Sequence, residues 1–218
     1  MKDRLPRFLR HQVLHFECLI EDAVHALASS LPEGALVLDA GSGEGQYRLH
    51  FDRQRYLGVD LRVGDVKWNY SRLDAVADLA RLPFPAEAFD AALHIVTLEH
   101  VPEPLKVLQE ISRVLRSGAP LLIVVPQEWE VHQAPHDYYR YTRYGISYLL
   151  ESAGFQDLNI QPAGGFFRLL SRRLYYAARY APAVLFPLAA LAMVVPLLEP
   201  LERDRNTTLG YICSARKR

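Results

Sequence analysis

A glycine-rich turn set between two short apolar runs constrains this chain more than any other feature. Residues 35–38 are apolar, and Val37-Leu38-Asp39-Ala40-Gly41-Ser42-Gly43-Glu44-Gly45 then breaks the run with three glycines at alternate positions. A short apolar run bounded in this way reads as a buried strand. Glycine permits φ > 0 and lets a ligand approach the backbone with no Cβ in the way. A second apolar run, 56–59, ends in Gly58-Val59-Asp60, with Asp60 standing 21 residues after Asp39. In a parallel α/β sheet that acid lies beside the glycine turn, where it can accept hydrogen bonds from both hydroxyls of a ribose. The pair points to a cofactor that carries a nucleoside. A glycine turn alone would not.

The glycine spacing narrows the choice. A dinucleotide site wants G-x-G-x-x-G, whose third glycine allows close helix–strand packing. Here the loop is G-x-G-x-G, Gln46 stands where the third dinucleotide glycine belongs, and no G-x-x-x-x-G-K-[ST] occurs anywhere. The pattern D-A-G-S-G-E-G with its trailing G-V-D resembles the class I S-adenosylmethionine (SAM)-dependent methyltransferases. That resemblance implies SAM as cofactor. It implies that Asp39 orders the loop, that Gly41, Ser42, Gly43 and Gly45 shape its methionine side, and that Asp60, with Leu61 beside it, holds the ribose. It also gives Asp78, in Asp78-Leu79-Ala80-Arg81-Leu82-Pro83-Phe84, to the adenine amino group, and the backbone of Leu79 to the adenine ring.

The rest of the chain supports one α/β domain. A length of 218 residues suffices for a large core, half the residues are hydrophobic, and the charge balance is zero, which argues against nucleic acid as a partner. Cys18 and Cys213 form no ligand spacing, no metal centre is expected, and the cysteine usage fits a reducing cytoplasm. Residues 1–10 lack the apolar core of a signal peptide. Apolar residues at Leu9, Val13, Phe16, Leu19, Ile20, Ala23, Val24 and Leu27 keep a helical period and predict a leading helix in an N-terminal cap, 1–32. Strands are predicted at 35–40, 56–60, 89–96, 120–125, 155–160 and 208–215. Helices are predicted at 103–116 and from a Thr142 cap to Gly154. The expectation is a Rossmann-like, doubly wound, mostly parallel seven-stranded sheet. Its SAM-binding core covers 33–164, a hydrophobic helical insertion covers 165–206, and a final strand and basic tail cover 207–218.

Acceptor chemistry is less local. Within the resembled superfamily the chain is similar to small methyltransferases of the type 11 kind that carry a His-x-x-x-His-Asp-Tyr-Tyr-Arg-Tyr-Thr segment, here residues 132–142. Methyl transfer from a sulfonium needs alignment first, and a base only where the acceptor nucleophile carries a proton. His136, with Asp137 beside it, is the expected catalytic pair, because histidine titrates near neutral pH. Glu99, His100, His132, Tyr139 and Arg140 are the expected acceptor contacts. For Glu99, His100, His136 and Asp137 a loop-anchoring role stands as the alternative, for Tyr139 and Arg140 a packed helix entry, and Arg140 is expected to meet an anion from protein or ligand.

Residues 180–198 carry no charge, which is long enough for a membrane span. Pro182, Pro187 and Pro196 interrupt the stretch, and a crossing would strand residues 209–215 on the wrong side of their own sheet. Arg168, Arg172 and Arg179 share one helical stripe, so one reading is peripheral membrane contact through 166–201. The other reading is an extra packed layer or a homodimer interface. The resulting expectation is a methyltransferase acting on a small or lipid-linked acceptor, cytoplasmic or at the inner membrane surface, in cell-surface glycan or lipid metabolism. A non-catalytic adaptor of the same fold and a nicotinamide-dependent oxidoreductase are the alternatives.

Overall fold

The structure is a computed structural model and describes residues 14–180, 182–202 and 206–218. The first residues of the expected leading helix, Leu9 and Val13, the rest of segment 1–10 and the side chain of Arg179 lie outside the described residues.

Seven strands form one sheet in the order β3-β2-β1-β4-β5-β7-β6. They are β1 (Leu36–Ala40), β2 (Arg55–Asp60), β3 (Ala75–Val76), β4 (Ala91–Ile95), β5 (Pro120–Pro126), β6 (Phe155–Pro162) and β7 (Gly210–Lys217). The pairs β1–β2, β1–β4, β2–β3 and β4–β5 are parallel, whereas β7 runs antiparallel to both β5 and β6. Central strands buried on both faces read as unbroken apolar runs, which is why 35–40 and 120–125 were visible as strands. The pleat sends neighbouring side chains to opposite faces. Leu38, Ala92, Leu121 and Ile123 join one buried cluster, with Val37, Ala91, Leu93, Leu122 and Val124 in the other.

Helices cover both faces. On the first lie α2 (Pro104–Val114) and α3 (Arg143–Ser152), contributing Val107, Leu108, Ile111, Ile146 and Leu150. On the second lies α1 (His15–Ser30), with Phe16, Ile20, Val24 and Ala28 facing inward. Proline opens α2, where its missing N–H costs nothing. Thr142 caps α3 as expected, its hydroxyl accepting from the Gly145 N–H at 3.1 Å.

Two features depart from a regular strand–helix alternation. Among the described residues, the crossings from β1 to β2 and from β2 to β3 contain only short 3₁₀ turns, at Arg48–His50 and Tyr70–Arg72. These stretches are too short and too polar to offer a helical apolar face. The insertion folds as α4 (Phe166–Tyr180), α5 (Pro182–Val194) and a 3₁₀ stretch, Val195–Leu201. It leaves from β6 and returns to β7 beside its own point of departure, since Pro162 pairs with Tyr211. Among the described residues no helix is long and apolar enough to cross a membrane.

Arg168 and Arg172, the members of the α4 stripe whose side chains are described, do not face outward. Arg168 pairs with Glu199 at 2.8 Å, and Arg172, only 9% exposed, stacks on Trp129 with its guanidinium 3.6 Å from the ring centroid. Helical periodicity placed these arginines on one face correctly but could not tell which way the face would turn. A cation over a desolvated indole face gains enough to turn it inward.

Candidate functional site

The glycine loop leaves β1 at the carboxyl end of the sheet. Gly41, Gly43 and Gly45 all adopt positive φ, at +87°, +52° and +70°. At Gly41 the requirement is also steric, because a Cβ there would lie 2.3 Å from the Thr97 methyl carbon. The loop is pinned from β2: Val59 O accepts the N–H groups of Gly41 and Ser42 at 2.7 and 3.1 Å. Asp60 Oδ2 accepts from the Gly43 N–H at 3.0 Å, and Oδ1 accepts from Arg62 N at 2.7 Å. Each carboxylate oxygen keeps a lone pair for a ribose hydroxyl.

Asp39 sits behind the loop, 1% exposed, and takes a short hydrogen bond from the Tyr56 hydroxyl. Burial pushes its carboxyl up to about 7, against the hydrogen bond from Tyr56. Asp39 does not reach the cavity, and its side-chain hydrogen bond ties β1 to Tyr56 on β2. Gly45 likewise shapes the loop without lining the cavity.

A cavity of about 660 Å³ opens where β1, β2 and β4 end. One half is lined by Gly41, Ser42, Gly43, Asp60, Leu61, Asp78 and Leu79, all of them expected from the sequence. Asp78 is fixed by the Ala80 N–H on Oδ1 at 2.9 Å. The other half is lined by Thr97, Trp129, and three of the histidines, His100, His132 and His136, with Tyr138 beside them. Trp68 also walls the cofactor half and packs on Tyr70. Neither tryptophan was foreseen. Their signal in the sequence is only that each is a large aromatic in a polar loop.

Two lining residues hold unusual backbone. Val96 has φ +49° and Gln133 φ +54°, and for a β-branched residue such as Val96 this conformation costs about 1–3 kcal/mol. The turn at Val96 ends β4 and delivers Thr97 and the 3₁₀ turn Leu98–His100 to the cavity.

Several expected contacts are corrected by their partners. Asp137 is clamped by Arg140 at 2.6 and 2.9 Å and accepts the His132 N–H at 2.8 Å. The Arg140 hydrogen bonds hold its carboxyl down at about 2, which suits an anchor of the loop better than a base. Arg140 spends its other donors on the carbonyls of Trp129, Glu130 and Tyr139; its anion is a protein carboxylate. Tyr139 points its hydroxyl at Pro102 O, 2.9 Å away, outside the cavity, and the adjacent Tyr138 lines the wall instead. Glu99 lies under the wall, wholly buried, with its carboxyl pushed up to about 8 by that burial. Desolvation lowers the His100 ring, offset in part by its hydrogen bond to the His136 carbonyl.

A glycine loop with Asp60 and Asp78 beside it, at the carboxyl ends of a 3-2-1-4-5-7-6 sheet, is the arrangement of a nucleoside-cofactor domain of the methyltransferase type. The comparisons with known proteins agree. Residues 38–123 match a family model described as a methyltransferase domain. The chain is 33% identical over 115 residues to a tRNA (carboxymethyluridine(34)-5-O)-methyltransferase of Arabidopsis thaliana, covering 50% of this chain and 28% of that protein. A SAM-dependent methyltransferase of Thermotoga maritima superposes with a TM-score of 0.60 at 19% identity, covering 100% of this chain and 97% of that one. A phosphoethanolamine N-methyltransferase of Haemonchus contortus, solved with SAM bound, gives 0.60 at 15% identity, covering 98% and 60%. Together these findings support a class I SAM-dependent methyltransferase with SAM as its cofactor. The chain spans less than half the length of the curated relatives it matches, from 19% to 45%.

Proposed function

We propose that this chain transfers a methyl group from SAM to a small acceptor whose nucleophile is a hydroxyl, carboxyl or amine. The observation that carries the reading is a cavity that joins the glycine loop, Asp60 and Asp78 to a wall of three histidines. The cofactor's sulfonium supplies the activated methyl. The protein's part is to fix donor and acceptor in line, which can supply about 7–11 kcal/mol of the barrier. His136 is the side chain offered for proton removal. Its Nδ1 lies 3.1 Å from the Tyr138 hydroxyl, which fixes the ring and leaves Nε2 for an acceptor.

An acceptor with a lipid anchor, met at the inner membrane surface, fits the apolar side chains that the insertion exposes. Phe186, Leu197 and Leu201 are 70%, 62% and 70% exposed. A second reading, methylation of a nucleoside in RNA, is favoured by the tRNA-acting relative. Against it stands the zero net charge, which offers no surplus of cations for a phosphate backbone.

Calorimetry tests the donor site first. SAM and S-adenosylhomocysteine are expected to bind wild type, NADH is not, and Asp60→Ala is expected to lose both adenosyl ligands. Folded protein that binds neither ligand would refute the reading and favour a non-catalytic adaptor. Radiolabelled methyl transfer to lipid extracts, small polar metabolites and bulk tRNA then separates the acceptor classes.

A further inference from the structure

Glu99, His100 and His132 converge on one point although 31 residues of sequence separate the last two from each other. The ring hydrogen bonds define their lone pairs. His100 Nδ1 lies 2.6 Å from the carbonyl of His136, and His132 Nδ1 lies 3.0 Å from the carbonyl of Glu130. A carbonyl only accepts, so each Nδ1 carries the proton and each neutral ring turns a bare Nε2 outward. Those two Nε2 atoms face each other at 3.1 Å. Glu99 Oε1 lies 3.7 Å from one and 3.8 Å from the other. Neither oxygen of this wholly buried carboxylate has a hydrogen-bond partner. Two facing ring nitrogens and a buried carboxyl with no hydrogen-bond partner thus surround one point, and the two facing lone pairs are repulsive by themselves.

We propose that Glu99, His100 and His132 bind one divalent transition-metal ion on the acceptor side of the cavity. Nitrogens each about 2.0–2.1 Å from Zn²⁺ stand roughly 2.8–3.4 Å apart between octahedral and tetrahedral geometry, which brackets the observed separation. The carboxylate needs to approach by only a few tenths of an ångström. Each histidine already donates its other ring N–H to a backbone carbonyl, the arrangement that orients metal-bound imidazoles. Two imidazoles and one carboxylate suit zinc, iron or cobalt better than magnesium, and three protein ligands leave coordination positions free. His100 and His132 line the cavity while Glu99 lies beneath it, so the free positions open toward the acceptor.

The use of the site rests on the methyl-transfer reading, although its existence does not. A hydroxyl acceptor coordinated there loses its proton to water more readily. The resulting alkoxide oxygen forms the bond to the methyl carbon as the carbon–sulfur bond breaks. The bonding pair stays on sulfur, giving the neutral thioether S-adenosylhomocysteine.

The test titrates chelator-treated full-length protein with Co²⁺ alone and with Zn²⁺ alone, in the absence of SAM, by calorimetry and visible absorption. One ion per chain is expected, with cobalt bands of a four- or five-coordinate nitrogen and oxygen site. His132→Ala and Glu99→Gln are expected to weaken binding by on the order of 100-fold or more, since even outer-shell partners are worth about 10–100-fold. If Glu99→Gln does not fold, His132→Ala carries the test, its fold checked by cooperative thermal unfolding. Asp60→Ala, on the cofactor side, is expected to keep the ion while losing S-adenosylhomocysteine. Ion binding without adenosyl binding by wild type would sink the donor reading and leave this site standing. Folded wild type that takes up no stoichiometric ion would overturn the proposal and leave the two histidines sharing a proton. Unchanged ion affinity in His132→Ala would overturn it equally.

Discussion

Asp39→Asn isolates the proton held beneath the glycine loop. The folded state raises this carboxyl from 3.8 to about 7, chiefly by burial, with Asp60 nearby adding to the effect. Between those values the folded chain keeps a proton that the unfolded chain releases. Stability contributed by this group is therefore greatest below about pH 4 and falls as pH rises, by about 1.4 kcal/mol per pH unit. The fall ends near pH 7, after a total of about 4 kcal/mol. Asparagine has the same shape, retains an oxygen to accept from Tyr56, and does not titrate. Its other effects are independent of pH, so the stability difference between variant and wild type reports Asp39 alone. Urea unfolding from pH 4 to 8 should show that difference moving in the variant's favour by about 4 kcal/mol and levelling off above pH 7. A difference that stays flat across the range would refute a buried, protonated Asp39. It would place an ionised carboxylate under the loop instead.

The other predictions concern single contacts. His94 is wholly buried, donates to Ala40 O at 2.7 Å, and is lowered by burial to about 4. Here the unfolded chain holds the extra proton, so stability rises from about pH 4 to 6.5 and is complete above; His94→Leu should remove about 3 kcal/mol of that rise in the same urea series. Gly41→Ala places a Cβ 2.3 Å from the Thr97 methyl carbon at φ +87° and should cost tenfold or more in S-adenosylhomocysteine affinity, on the order of 1–3 kcal/mol. Adding Thr97→Ala should recover only part of it in calorimetry, because the positive φ remains. Arg140→Met leaves Asp137 without its clamp and should lower stability by about 2–3 kcal/mol. Hydrogen exchange should quicken across residues 129–141 while adenosyl binding persists.

How far the sequence carried the reading followed how local each signal was. The loop glycines, Asp60 and Asp78 announce themselves through neighbours a few residues away, and all but the underlying Asp39 and Gly45 line the cavity. Strand β3 is two residues long, too short for any period to show, and only the acid that follows marked it. Asp137 and Arg140 were visible as residue types but not as each other's partners, and a carboxylate already bound by guanidinium has no base chemistry left. The α4 arginines were seen as a stripe, yet the indole that draws them inward lies some forty residues earlier in the chain. The meeting of Glu99, His100 and His132 depends on two loops from different strands, and no spacing in the sequence encodes it.

The pairing of Pro162 with Tyr211 gives the insertion a common doorpost for entry and exit. A chain segment whose ends are held together in this way can change length at little entropic cost, about 0.6 kcal/mol for each doubling. Its α4 reaches the cavity through Arg172 and Trp129, on the acceptor side, and the glycine loop lies at the far end of the same opening. The whole excursion can therefore lengthen or shorten as a cassette while the strands on either side keep their pairing. The half that holds the donor would not register the change.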